Sequence, residues 1–224
     1  HPTVEGVEDS GGRVYFKIPE DKRLPVGRHQ VRLVVAGDHT HADLLIDVIE
    51  KETPVFVSDV DGTLTSAEFA EFNKLLRGDL PRPQADAAKV LSALAAKGYH
   101  PVYLTARPEW LTERTREFLD AHGFPPGIIH TTTTLTGLFG DSAARFKIGE
   151  LRQLTEKDLN VRWAFGNKES DTKAYESAGF RDHVRRIFLK VLDPHGGRRI
   201  ETYGELLPEI STEPTVCDSR RRGD

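Results

Sequence analysis

From residue 54 onward, apolar stretches of strand length alternate with stretches of helical period, and few folds tolerate that order. Residues 55–60 form a compact apolar run. Residues 85–97 repeat Val90, Leu91 and Leu94 on one helical face, with Gly98 placed as a stop. Residues 101–105 are strand-like. Residues 109–122 put Leu111, Thr115, Phe118 and Leu119 on one face and end at Gly123. Residues 127–131, 161–165 and 184–191 read as further strands, and residues 146–154 and 171–177 as further helices. Strand-helix alternation predicts an α/β fold, a Rossmann-like parallel sheet covered by helices on both faces.

The first fifty residues follow another pattern. Residues 13–18, 29–36 and 42–49 are short β-type runs, and Gly37-Asp38-His39-Thr40 reads as a hairpin connection. The expectation is a small β-sandwich-like region over residues 1–50, then the α/β domain over 51–211. Residues 212–224 lack apolar periodicity and are expected to be a disordered tail. The formal net charge of −4 gives no basic face for nucleic acid. The single cysteine, Cys217, cannot pair within the chain. No apolar run approaches a membrane span. The chain begins at His1 rather than Met, so an upstream segment is expected, and the compartment, cytoplasmic or exported, stays open.

Ligands of open α/β sheets bind beyond the carboxyl ends of the strands, so the residues following each strand matter most. The first strand feeds Asp59-Val60-Asp61-Gly62-Thr63. Acids at i and i+2 leaving a strand can project to one side, and glycine then allows a sharp turn. One carboxylate can attack phosphorus while the other shuttles the leaving-group proton. Two acids so close call for a cation, and Mg²⁺ prefers carboxylates together with phosphate and water oxygens. Thr105-Ala106-Arg107 follows the second strand, bringing a hydroxyl donor and a guanidinium able to hold phosphate bidentately. Lys147 sits near the expected start of the third helix, where a cation opposes the helix dipole and so needs a partner. Asn167 and Asp171, after the fourth long strand, supply hard oxygen ligands at a strand-to-helix turn.

In this order the segments resemble the four motifs of the haloacid dehalogenase superfamily. Within it, Asp59-Val60-Asp61-Gly62-Thr63, Phe146-Lys147 and Phe165-Gly166-Asn167 with Asp171 and Ala174-Tyr175 resemble lipin-type phosphatidate phosphatase domains. The asparagine at 167, where aspartate is more usual, is a lipin trait. A second resemblance covers more of the chain. Residues 33–42, Gly98-Tyr99, residues 103–108 and residues 123–127 are similar to the carboxy-terminal domain of membrane-associated phosphatidylinositol transfer proteins, the retinal degeneration B family.

The lipin resemblance implies Asp59 as nucleophile and Asp61 as acid and base. It implies Thr105 and Lys147 on the phosphoryl oxygens and Gly62, Thr63, Ala106 and Arg107 as further phosphate-binding positions. Asp59, the Asp61 carbonyl, Asn167 and Asp171 would take Mg²⁺. The implied substrate is phosphatidic acid or another phosphomonoester. The transfer-protein resemblance implies a domain that binds phosphatidic acid without hydrolysing it, the first Asp being lost there. Here both acids are present. Residues 66–83 leave no room for a large cap, and residues 67–76 have the pattern of a short amphipathic helix suited to peripheral membrane contact.

Overall fold

The computed structural model describes residues 8–9, 14–15, 17–66, 79–180 and 183–216. The chain divides into two compact units, residues 1–50 and 51–224. In the first, β1 (Glu8–Asp9) pairs antiparallel with β2 (Val14–Tyr15), a shorter strand than the run at 13–18 implies. β3 (Gly27–Val34) and β4 (His41–Val48) form an antiparallel hairpin with Val34 opposite His41. Its turn closes through Val35 N–H donating to the Thr40 carbonyl at 2.8 Å. Asp38 Oδ1 accepts from Thr40 N and Thr40 Oγ1, the side-chain turn that aspartate favours. Arg28–Asp47 and Arg32–Asp43 face each other across the ladder as ion pairs. The described residues of this unit thus form two two-stranded antiparallel sheets, in keeping with the small β-sandwich-like region expected there.

The second unit is built on a six-stranded, all-parallel sheet in the order β10-β9-β8-β5-β6-β7. Its strands are β5 (Pro54–Ser58), β6 (His100–Pro108), β7 (Ile128–Thr132), β8 (Asn160–Gly166), β9 (Arg185–Leu189) and β10 (Arg198–Ile200). The chain runs outward from β5 through β6 to β7, then returns to the other side of β5 with β8. That reversal opens a crevice at the carboxyl ends of β5 and β8. Val55, Phe56 and Val57 are fully buried, as a central strand covered on both faces requires.

The helices are α1 (Ala87–Ala96), α2 (Thr112–Ala121), α3 (Gly140–Glu156), α4 (Glu169–Ser177) and α5 (Leu207–Thr212). Val90, Leu91 and Leu94 of α1 and Phe118 and Leu119 of α2 join Phe56, Trp163, Phe165 and Tyr203 in one core. Leu151 of α3 and Ala174 and Tyr175 of α4 are buried outside that cluster, on the opposite face of the sheet.

Three departures from the sequence reading have physical causes. Helix α3 begins at Gly140, earlier than the expected 146, because residues 141–145 (Asp-Ser-Ala-Ala-Arg) propagate a helix without apolar periodicity. β10 and α5 went unrecognised because each is short and β10 is polar. Residues 212–216 are not a loose tail. Glu213, 7% exposed, accepts from Tyr99 Oη at 3.0 Å and pairs with Arg185 at 2.6 Å. Val216 N–H donates to the Lys97 carbonyl at 2.8 Å. Residues 217–224, with Cys217, and the expected amphipathic helix at 67–76 lie outside the described residues.

Candidate active site

Beyond Ser58 the first sheet strand ends, but Asp59 N–H still donates to the Phe165 carbonyl of β8 at 3.0 Å. Asp59 is therefore fixed at the switch point. Gly62 takes φ +79°, a conformation other residues rarely adopt, and turns the chain back over the sheet. The turn is braced from three sides. Gly62 N–H donates to Thr65 Oγ1 at 2.8 Å. Gln84 Nε2 donates to the carbonyls of Gly62 and Thr65 at 3.2 and 3.1 Å. The Tyr203 hydroxyl donates to the Thr63 carbonyl at 3.1 Å.

Asp59 is 4% exposed and its two oxygens face different partners. Oδ1 accepts from Lys147 Nζ at 2.6 Å, and Oδ2 lies 2.8 Å from Thr63 Oγ1. Burial disfavours its charge; Lys147 opposes that, while Asp171 and Asp61 add to it, and the carboxyl is raised to about 6. Lys147, also buried, would lose its proton more readily through burial, but Asp171 and Asp59 outweigh this and hold it above the ordinary lysine value. Its position corrects one step of the sequence argument. Lys147 lies inside α3, not at its start, so the carboxylates stabilise it and the helix dipole is not what calls for them.

Asp171 is fully buried with both oxygens engaged. Oδ1 accepts from Lys147 Nζ at 2.6 Å, and Oδ2 accepts the backbone N–H groups of Asn167 and Lys168 at 3.0 and 3.1 Å. It thus caps α4 and anchors the lysine together. Gly166 makes room for it, since a Cβ there would sit 2.6 Å from Asp171 Cβ.

Thr105 and Arg107, assigned to phosphate by the sequence reading, are turned to Asp61. Thr105 Oγ1 donates to Asp61 Oδ2 at 3.0 Å. Arg107 Nε donates to Asp61 Oδ1 and Oδ2 at 3.0 and 3.1 Å, and Nη2 donates to Oδ1 at 2.7 Å. Arg107 is itself seated by Nη1 donating to Thr115 Oγ1 of α2 at 2.9 Å. The reason is local: a carboxylate with only 22% of its side chain exposed takes the nearest fork of donors. Ala106 lines the cavity described next, but its carbonyl accepts from Leu138 N–H at 3.0 Å.

Asp59, Asp61, Thr63, Thr105, Arg107, Lys147, Asn167 and Asp171 therefore converge at one end of the sheet. A cavity of about 230 Å³ opens over Asp59, Asp61, Arg107, Lys147, Lys168 and Ser170, with residues 136–140 as its outer wall. Gln84, Tyr203 and Thr115 escaped the sequence reading because they support the site through packing and carry no motif.

The donor set fits a hard cation. Asp59 Oδ2 and Asn167 Oδ1 lie 2.8 and 2.9 Å from Thr63 Oγ1, whose single proton cannot serve both. Three carboxylates, on Asp59, Asp61 and Asp171, meet the cations of Lys147 and Arg107. Among the described residues no group of three or more His, Cys, Asp or Glu side chains could hold a metal alone. A cation here would need a backbone carbonyl, asparagine and substrate oxygens beside the carboxylates, ligands that Mg²⁺ accepts.

The strand order and the Asp-x-Asp turn at the switch point define an α/β protein of the haloacid dehalogenase type. Within that class the LNS2 domain of PITM 1-3 matches over residues 56–189, more than half of the 224, and the PITM 1-3 beta-sandwich domain matches over residues 3–48. The chain belongs to the PITM 1-3 LNS2 domain family. Protein retinal degeneration B of Drosophila melanogaster is 30% identical over 204 residues, covering 91% of this chain and 15% of that protein. Human membrane-associated phosphatidylinositol transfer protein 2 is 34% identical over 172 residues, 76% of this chain and 12% of that protein. The chain thus spans less than a fifth of the length of these relatives. Among solved structures, a haloacid dehalogenase family hydrolase of Salmonella enterica serovar Typhi overlaps with TM-score 0.45 at 12% identity, covering 83% of this chain and 90% of that one. An apo phosphoserine phosphatase overlaps with TM-score 0.45 at 12% identity, covering 70% and 98%. Both overlaps are loose, and the fold assignment rests on the strand order and the site.

Proposed function

We propose that this chain is a Mg²⁺-dependent phosphatase that hydrolyses a phosphomonoester through an aspartyl-phosphate on Asp59, with phosphatidic acid as its substrate. The observation that carries the reading is Asp59 itself. It is a buried carboxylate at the floor of a cavity, oriented by Lys147 on one oxygen and Thr63 on the other. Asp59, Asn167 and the Asp61 carbonyl would hold Mg²⁺, which when bound neutralises charge on the phosphoryl oxygens.

In the first step an Asp59 oxygen forms a bond to phosphorus and the bond to the leaving alkoxide breaks. Asp61 gives the alkoxide its proton. In the second step Asp61 takes a proton from water, which attacks phosphorus, and the Asp59 carboxylate is released with inorganic phosphate. Lys147 stays charged throughout and stabilises the transferring group electrostatically. Asp171 positions Lys147 and is not assigned to the metal, because both its oxygens already have donors.

One observation favours a second reading, a module that binds phosphatidic acid and does not turn it over. Asp61 must leave Arg107 and Thr105 to reach a leaving-group oxygen, and the fork holding it is bidentate. The name of the human relative, a membrane-associated phosphatidylinositol transfer protein, is compatible with either reading. Incubation with headgroup-labelled phosphatidic acid and Mg²⁺, followed by acid quench, separates the two. Label retained on the wild type and lost in Asp59→Asn supports the enzyme. Vesicle binding without label on the protein supports the binding module.

A further inference from the structure

Phe139, which lines the cavity, and Leu135 and Trp110, in the chain segments that border it, are large apolar side chains that the protein leaves in water. Leu135 is 84% exposed, Phe139 72% and Trp110 53%. Leu135 and Phe139 share the segment between β7 and α3, and Trp110 is bonded to that segment. Trp110 Nε1 donates to the Leu135 carbonyl at 2.9 Å, which ties the start of α2's 3-10 turn to the segment between β7 and α3. That segment is held on the end of β6 by Leu138 N–H donating to the Ala106 carbonyl at 3.0 Å. Gly137, at φ +76°, lies so close to that carbonyl that a Cβ would approach it to 3.0 Å.

Composition singles out the same segment. Residues 131–140, Thr-Thr-Thr-Thr-Leu-Thr-Gly-Leu-Phe-Gly, contain no charged residue in a chain that is 29% charged. Threonine hydroxyls and glycines beside exposed leucine and phenylalanine suit a headgroup layer, where charge near the hydrocarbon is costly and apolar side chains gain. The indole N–H of Trp110 already has its acceptor, so the ring can enter an apolar boundary without stranding a donor.

We infer that Trp110, Leu135 and Phe139 form a foot that seats the mouth of the cavity on a lipid bilayer. The inference rests on the reading of the cavity as a site for a lipid phosphate. The continuity of the wall chooses the occupant. Phe139 and Leu138 line the cavity above Asp59 and Asp61, and Phe139 also faces outward. A headgroup phosphate at the floor would pass along Phe139 to apolar chains outside, leaving the lipid in its bilayer.

The chain has two tryptophans, and Trp163 is fully buried, so a change in emission on adding vesicles reports Trp110. The experiment titrates the whole chain with phosphatidylcholine vesicles, with and without phosphatidic acid, and repeats it with brominated phosphatidylcholine as a depth quencher. The expected result is a blue shift and bromine quenching in wild type and equally in Asp59→Asn. Leu135→Glu, with an unchanged melting temperature, should partition about tenfold more weakly or worse. No blue shift, quenching absent despite co-sedimentation, or Leu135→Glu binding like wild type would each overturn the inference. Capture of a protein partner by this surface with no vesicle response would overturn it too. Phosphate release from a short-chain, monomeric phosphatidate is measured beside it. Release without insertion removes only the foot; insertion without release removes only the phosphatase.

Discussion

A carboxyl group buried at the floor of a cavity makes the protein less stable than it would be without the charge, and Asp59 is that group. Its raised value, about 6 against an ordinary 3.8, means the folded state holds this proton where the unfolded chain has released it. The stabilisation is complete below the unfolded value and is lost as pH rises toward 6 and beyond. In metal-free buffer with chelator, the melting temperature of Asp59→Asn relative to wild type should rise from pH 5 to pH 7. At pH 5 the wild-type carboxyl is largely protonated. Calorimetry at the two values checks this, and a pH-independent difference would contradict it. Arg107 gives a second test. It is 3% exposed and binds Asp61 through two nitrogens. Arg107→Met strands a half-buried carboxylate and should cost about 2–4 kcal/mol, read from chemical denaturation. Arg107→Lys keeps the charge but loses the planar fork, so it should recover only part. Of these residues the motif-bearing ones were legible from chemistry alone, because acids two apart at a strand end do little structurally. The pairing of Arg107 with Asp61 was not legible, since a sequence shows which donors exist but not which acceptor lies nearer.

At the level of the element, the turn from β8 into α4 and the interior of α3 act together through Lys147. Replacing Lys147 by Met leaves Asp59 and Asp171 buried without their shared cation, each 2.6 Å from where its nitrogen stood. The variant should be destabilised by about 3 kcal/mol or more at pH 7 and less so as acid protonates Asp59. Gly166→Ala tests the same junction through backbone space. Its Cβ would collide with Asp171, so it should displace the cap of α4 and lower stability with no charge altered. Circular dichroism melts report both. Helices α1 and α2 were readable because their apolar faces repeat at 3.6. The first turns of α3 were not, because Asp141, Ser142 and Arg145 carry no apolar face, and so Lys147 was placed at a helix start that does not exist.

For the whole molecule, the alternation of strand and helix predicted the parallel sheet, and the switch point then placed the site without further information. What remained hidden was the far edge. β10 is a three-residue strand reading Arg-Arg-Ile, and α5 is only six residues long. The end of the ordered domain was set too early because Glu213 and Val216 act through single long-range bonds to Tyr99, Arg185 and Lys97 rather than through periodicity. A chain ending at Ser211 should therefore melt several degrees lower than one ending at Val216, by about 2 kcal/mol of lost bonding and packing.

If Asp59 is a nucleophile working with Mg²⁺, phosphate release from phosphatidic acid in mixed micelles requires both. Wild type and Asp59→Asn are measured with Mg²⁺ and with chelator. Release is expected only from wild type with Mg²⁺. Release that survives Asp59→Asn, or no release from wild type that still binds phosphatidic acid vesicles, would contradict it.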